Sequence, residues 1–264
     1  MKKILVVLIL CSSCFGSIAL VQSKAGGTVS SSGSGTSATP FTTTAGGFTS
    51  PTSSGNLLIC VSRVNAQVTS GSPINIITLN GPTTSGFSWT NVRLPFGWGL
   101  PSTSIGLWMV YYIQNAAAMS VTTSATATIT GNLTTNYNVQ VEFSLYEFSG
   151  AATTSVVEQN TVATGTSSTP NAGTLTSSGS SDMIFVGFAG NPSGSNLTAG
   201  SGYTLGVDAS VVTVGQNQYI LNVAPGANAT AFSGGTSPAW GGMAVAFKVA
   251  SAPSPAARHG GTVF

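Results

Sequence analysis

Apolar and β-branched runs recur along this chain, separated by clusters of Gly, Asn, Ser and Pro. That is the pattern of a β-sandwich or barrel. Apolar residues spaced at the helical period are nearly absent. The pattern predicts strands at 56–64, 74–79, 86–92, 105–113, 119–130, 137–148, 182–189, 202–207, 210–214, 217–223 and 242–249. Side chains alternate along a strand. Alternation in 137–148 therefore groups Val139, Val141, Phe143 and Leu145 as the apolar core face, with Gln140, Ser144 and Tyr146 on the non-core face. In 105–113 it separates Leu107, Met109, Tyr111 and Ile113 from Trp108, Val110 and Tyr112. Residues 26–55, rich in Ser, Thr and Gly, read as a linker with an edge strand around Phe41 to Phe48 as the alternative. Residues 250–264 read as a flexible tail.

The strands also rhyme. NLLICVSRV, GFSWTNV, IGLWMVYYI and VQVEFSLYEFSG are followed, in the same order of character, by DMIFVGFAG, GSGYTLGV, NQYILNV and GGMAVAFKVA. Two similar Greek keys make a jelly roll. The expectation is an all-β, two-sheet antiparallel β-sandwich of jelly-roll topology over 56–249, preceded by a signal-peptide helix.

That helix is expected over residues 1–25. Met1-Lys2-Lys3 is a short positive region, and Ile4–Leu10 is apolar. Ser23-Lys24-Ala25 puts small residues at the two positions a signal peptidase reads. The apolar run is too short and interrupted for a permanent span. Lipid attachment at Cys14 is the alternative processing, although Cys11 stands where such signals place Leu.

Export changes the charge count. The precursor has seven Lys and Arg against five acids. Removing Lys2, Lys3 and Lys24 leaves four cations (Arg63, Arg93, Lys248, Arg258) against five carboxylates (Glu142, Glu147, Glu158, Asp182, Asp208), a formal charge of −1. Nucleic-acid binding needs a basic footprint that such a chain lacks. Cys60 would be the sole thiol, inside the apolar run Leu57–Val61, and reads as a small buried hydrophobe.

Three short motifs then carry a resemblance: Gly55-Asn56-Leu57-Leu58, Glu147-Phe148-Ser149-Gly150 and Ala246-Phe247-Lys248. They resemble the opening, middle and closing strands of secreted bacterial jelly-roll, concanavalin-like domains. The resemblance covers about residues 55–249. It implies a fold and an exported location, and no catalytic residues.

Candidate chemistry is thin. Glycoside hydrolysis needs paired carboxylates. Glu142 and Glu147 share a strand but face opposite ways, a poor pair. Glu147 continues the apolar register, so it needs a partner; an ion pair with Lys248 or a backbone-bonded carboxylate is expected. Zinc is excluded by one His and one Cys far apart. Calcium stays open, since backbone carbonyls can hold it, but there is no Asp-x-Asp cluster. Arg93–Pro101 reads as a Pro/Gly-bounded loop carrying Phe96 and Trp98, and loops on rigid scaffolds hold binding residues. Arg93, Phe96, Trp98, Trp108 and Tyr112 are the expected binding residues. The ranked readings are a non-catalytic glycan or surface-binding module, then a structural subunit of a surface layer, fibre or coat, and last a glycoside hydrolase. The second rests on 5% charged residues against about 25% in ordinary domains, which leaves little electrostatic barrier to self-association.

Overall fold

The computed structural model describes residues 16–33, 41–45, 47–68, 77–79, 82, 84–93, 96–100, 104–118, 125–131, 137–190, 197–207, 215–234 and 240–251. These residues are all-β, with no helix, and every strand pair is antiparallel.

The strands of the first half are β1 (Ala19–Gly33), β2 (Phe41–Ala45), β3 (Leu57–Val68), β4 (Ile77–Leu79), β5 (Thr90–Asn91), β6 (Phe96–Leu100), β7 (Ser104–Ile113), β8 (Ala125–Gly131) and β9 (Tyr137–Ser149). The second half supplies β10 (Val157–Gly165), β11 (Asn171–Ser177), β12 (Asp182–Gly190), β13 (Thr204–Leu205), β14 (Gly215–Val223), β15 (Gly226–Ala231) and β16 (Trp240–Phe247).

The two halves repeat one topology. The first large sheet runs β1-β9-β3-β7-β5, with β6 also on β7; the second runs β10-β16-β12-β14-β13. Each half adds a small sheet, β2-β8-β4 in the first and β11-β15 in the second. Strand for strand, the first nine map onto the last seven, with β4 and β6 unmatched among the described residues. The rhyme in the sequence is therefore a duplication of topology.

Register makes the equivalence residue-specific. Leu57 lies across from Phe148, as Met183 lies across from Phe247. Ile59 lies across from Tyr112, as Phe185 lies across from Tyr219. The large sheets pack face to face through these positions. Their shared core contains Ile18, Leu57, Ile59, Val61, Val110, Tyr146 and Phe148 from one side and Met183, Phe185, Tyr219, Met243, Val245 and Phe247 from the other. Phe148 meets Tyr219 edge-on at 5.5 Å, and the equivalent pair Phe247–Tyr112 meets edge-on at 6.2 Å. Reciprocal contacts of this kind are what an approximate two-fold relation produces. Each such pair adds about 0.5–1.5 kcal/mol beyond its buried area.

A second core fills the other face of the second sheet. Leu175 of β11 packs with Ile184, Val186, Phe188, Ala244 and Ala246. Every residue of β12 and β16 is buried. Strands covered on both faces read as continuous apolar runs instead of alternating ones, which is why MIFVGFA and AVAF look as they do.

The N-terminal part departs from expectation. β1 pairs with β9 from Ala19↔Ser149 to Gly33↔Tyr137, with bulges at Leu20/Gln22 and Ala25/Thr28. The expected boundary at Ala25 falls inside this strand, and residues 26–33, read as linker, are strand as well. Phe41–Ala45 forms a strand where the alternative reading put one. The expected signal helix over residues 1–15, the predicted strand 210–214 and the tail beyond 251 lie outside the described residues.

Candidate recognition face

One face of the first large sheet changes character along its length. Backbone register across β9, β3, β7 and β6 aligns Glu142, Arg63, Trp108 and Phe96 in a single row. Two positions further along each strand, the next row is Gln140, Asn65, Gly106 and Trp98. The row after that is Asn138, Gln67, Ser104 and Leu100. All three rows are in phase, at the two-residue strand period, with Leu57, Ile59 and Val61 of the inter-sheet core. The register positions in phase with the core are thus apolar up to Val61, carry the buried Arg63–Glu142 pair next, and are amide and aromatic residue types beyond it. The side chains of residues 64–68, 96–100, 104–108 and 137–141 lie outside the described residues.

A buried polar network marks the transition. Arg63 and Glu142 are 4% and 1% exposed, and Arg63 Nη1 lies 3.7 Å from Glu142 Oε2. Arg63 Nη2 donates to Asn217 Oδ1 at 2.6 Å, Asn217 Nδ2 donates to the Tyr146 hydroxyl at 2.9 Å, and that hydroxyl donates to the Val207 carbonyl at 2.7 Å. Arg63, Glu142 and Tyr146 come from the first half; Asn217 and Val207 come from the second. Gly215 makes the room: a Cβ there would stand 2.7 Å from Arg63 Cδ. Burying an ion pair offsets much of its own Coulombic gain through desolvation. The network's effect is to fix how the two sheets meet at this end.

The other described carboxylates hold the fold together. Glu147 is fully buried. Its Oε1 accepts from the Ser53 amide at 2.7 Å and from Asn56 Nδ2 at 2.7 Å, and its Oε2 accepts from Gln22 Nε2 at 2.6 Å. The expected Glu147–Lys248 ion pair is therefore replaced by hydrogen-bond donors from β1 and the segment before β3, and the buried ion pair belongs to Arg63 and Glu142. Asp182 accepts from Ser177 Oγ at 2.8 Å, the Gly179 amide at 2.9 Å and the Val249 amide at 2.9 Å. Glu158 accepts from the amide and hydroxyl of Ser178. Glu142 and Glu147 do face opposite sides of β9, the first toward the inter-sheet core.

Thiol chemistry has no support either. Burial pushes the Cys60 thiol up to about 12, only partly offset by a contact with Ser62. A thiol held protonated is a poor nucleophile and metal ligand. Among the described residues no three of His, Cys, Asp and Glu come together as metal ligands, and no helix is long and apolar enough to cross a membrane.

The five expected binding residues separate. Phe96 and Trp98 sit on β6, so the segment read as a loop is instead an edge strand pairing with β7. Trp108 is directly across from Phe96. Arg93 is exposed in a turn whose amide donates to Asn91 Oδ1 at 3.1 Å. Tyr112 leaves the set: it is half-buried between the sheets against Phe247. Arg63, Asn65 and Gln67 had not been singled out for binding, although their alternation along one strand is visible in SRVNAQ. Compared with known proteins, the chain matches no protein-family model, no curated protein and no solved structure.

Proposed function

We propose that this protein is an exported, non-catalytic recognition module whose ligand is a glycan or related cell-surface polymer. The observation that carries the reading is the pair of register rows Gln140-Asn65-Gly106-Trp98 and Asn138-Gln67-Ser104-Leu100, which follow on the same strands beyond the buried Arg63–Glu142 pair, with Trp108 and Phe96 in register with that pair. Sugars offer C–H faces that stack on aromatic rings and hydroxyls that both donate and accept. Amide side chains both donate and accept. Sites of this kind combine apolar surface with a few placed polar groups. The described carboxylates are spent on internal bonds, which favours binding over hydrolysis. The matching orders β1-β9-β3-β7 with β2-β8-β4, and β10-β16-β12-β14 with β11-β15, support reading the chain as two similar halves, as the jelly-roll architecture that the concanavalin-like resemblance implies would require.

The test is a polysaccharide pull-down and glycan array on the exported protein, with Trp98→Ala and Phe96→Ala. Binding that drops at least about tenfold in Trp98→Ala, with an unchanged melting temperature, supports the reading; a tenfold loss corresponds to about 1.4 kcal/mol. No binding to any polymer, or binding indifferent to both substitutions, refutes it. The second reading, a subunit of an extracellular assembly, draws on the 5% charged composition. Sedimentation across a wide concentration range separates the two: concentration-dependent growth into large species favours assembly.

A further inference from the structure

We infer that export processing removes the leader upstream of Gly16, within the Cys11–Phe15 stretch, so that residues 16–25 stay in the mature protein. The inference rests on the export reading above.

Several windows near the N-terminus put small residues at the two positions a signal peptidase reads, among them Cys11-Ser12-Ser13, Cys14-Phe15-Gly16, Ser17-Ile18-Ala19 and Ser23-Lys24-Ala25. Sequence alone does not choose among them. The fold does, because residues 17–25 are built into it. Ile18 is 1% exposed and belongs to the core between the two large sheets. Leu20 packs against the same core. Gln22 supplies one of the three donors to the fully buried Glu147 carboxylate. Ala19 to Ala25 pair with Ser149 to Ser144 of β9.

The fit on the receiving side is specific. Gly150 has φ +77°, and a Cβ there would run into the Ser17 carbonyl. Gly16 itself approaches the Ala250 carbonyl, at 3.1 Å from an added Cβ. The residue that follows β9 is therefore a bare position shaped to the backbone of residue 17. A cut after Ala19 would remove Ile18. A cut after Ala25 would also remove Leu20 and Gln22, leave the Glu147 oxygen they cover without its partner, and expose half of β9 as a new sheet edge. Unpaired edges of that length template aggregation.

The first window has none of these costs. It follows the apolar run Ile4–Leu10 directly, a run at the short end of the apolar leader cores of about 7–15 residues. A cut after Ser13 makes Cys14 the first residue and keeps Lys24. The mature chain then has five cations (Lys24, Arg63, Arg93, Lys248, Arg258) and five acids, a formal charge of zero.

The experiment is intact-mass and N-terminal sequencing of the full chain recovered outside the cytoplasm of an exporting bacterial host. A mature terminus between Ser12 and Gly16, with or without an acyl mass on Cys14, supports the inference. A terminus at Leu20 or Gly26 overturns it while leaving the export reading intact. A chain retained inside with Met1 in place overturns the export reading, and the inference with it. A paired measurement guards against trimming by host proteases. Purified chains starting at Gly16 and at Gly26 are melted side by side: the first should match the exported protein, and the second should melt about 10 °C or more lower. Equal melting temperatures overturn the inference.

Discussion

Glu147 offers the sharpest test of whether the acids of this chain are structural. Its carboxylate is fully buried and takes three hydrogen bonds, from the Ser53 amide, Asn56 Nδ2 and Gln22 Nε2, all at 2.6–2.7 Å. Hydrogen bonds to a charged acceptor contribute about 1.5–3 kcal/mol each, and a buried donor left unpaired costs about 1–3 kcal/mol. In Glu147→Ala the Asn56 amide, itself buried, and the Ser53 amide lose their acceptor. The three bonds act on one group and do not add fully, so we expect a loss of about 3–5 kcal/mol. Glu147→Gln is milder. One amide oxygen can keep the Ser53 and Asn56 bonds, while the new NH2 opposes the Gln22 amide, for a loss of about 1–2 kcal/mol. The assay is urea unfolding of both variants. With a slope near 2 kcal/mol per molar, the midpoint should fall by about 1.5–2.5 M in Glu147→Ala and by under about 1 M in Glu147→Gln. A Glu147→Ala midpoint within about 0.3 M of the parent would refute the structural assignment and reopen a chemical role for this carboxylate.

Alkaline stability and one glycine supply the remaining tests. The Cys60 thiol is raised from 9.0 to about 12 by burial, so the unfolded chain releases its proton first; stability is whole below pH 9 and falls as pH rises toward 12, by about 1.4 kcal/mol per unit for this group. Tyr111, Tyr203 and Tyr219 are raised in the same sense by burial; urea midpoints at pH 7, 9 and 10.5 should decline, less steeply in Cys60→Val, and equal slopes would show that the thiol is not buried. Gly150→Ala should cost about 2–4 kcal/mol, from positive φ and collision with the Ser17 carbonyl, whereas Gly55→Ala, at φ +86° with nothing within 4 Å, should cost about 1 kcal/mol; comparable losses in thermal melts would refute the seating of residue 17.

Legibility in the sequence followed side-chain size. β3, β7, β9, β12, β14 and β16 carry large apolar residues and were predicted within a few residues of their ends. β10, β11 and β15 were not, because VEQNTVATG, NAGTLTS and GANATA present little bulk to a pattern search. These strands are held by pairing to β16 and to each other, and small side chains suit close layers. β1 was hidden differently. Its residues satisfy the leader pattern and the linker composition at once, and only its pairing with β9 separates those readings from a strand. β6 was masked by Gly97 and Gly99, which look like loop residues. The ion pair was half legible: Arg63 was counted among the available cations, but its partner is set by register, and register needs the β3–β9 pairing.

The duplication also shows where the two halves diverge. Equivalent rows of the two halves agree in the core: Phe148 matches Phe247, and Tyr112 matches Tyr219. The agreement is confined to these positions: Val61, Val110 and Ser144 already stand where the second half has Gly187, Asn217 and Met243, and the row of Glu142, Arg63 and Trp108 differs as well. At this row one half places a charge pair and a tryptophan where the other has Gly241, Ala189 and Gly215. The difference is coupled across the interface, because Gly215 is what lets Arg63 lie against the second sheet and reach Asn217. A symmetric scaffold has thus become asymmetric at one end, and the residues beyond that row are amides and aromatics. The divergence of the two halves is therefore mutual at this end: the guanidinium needs the bare backbone of Gly215, and Asn217 needs the guanidinium that donates to it.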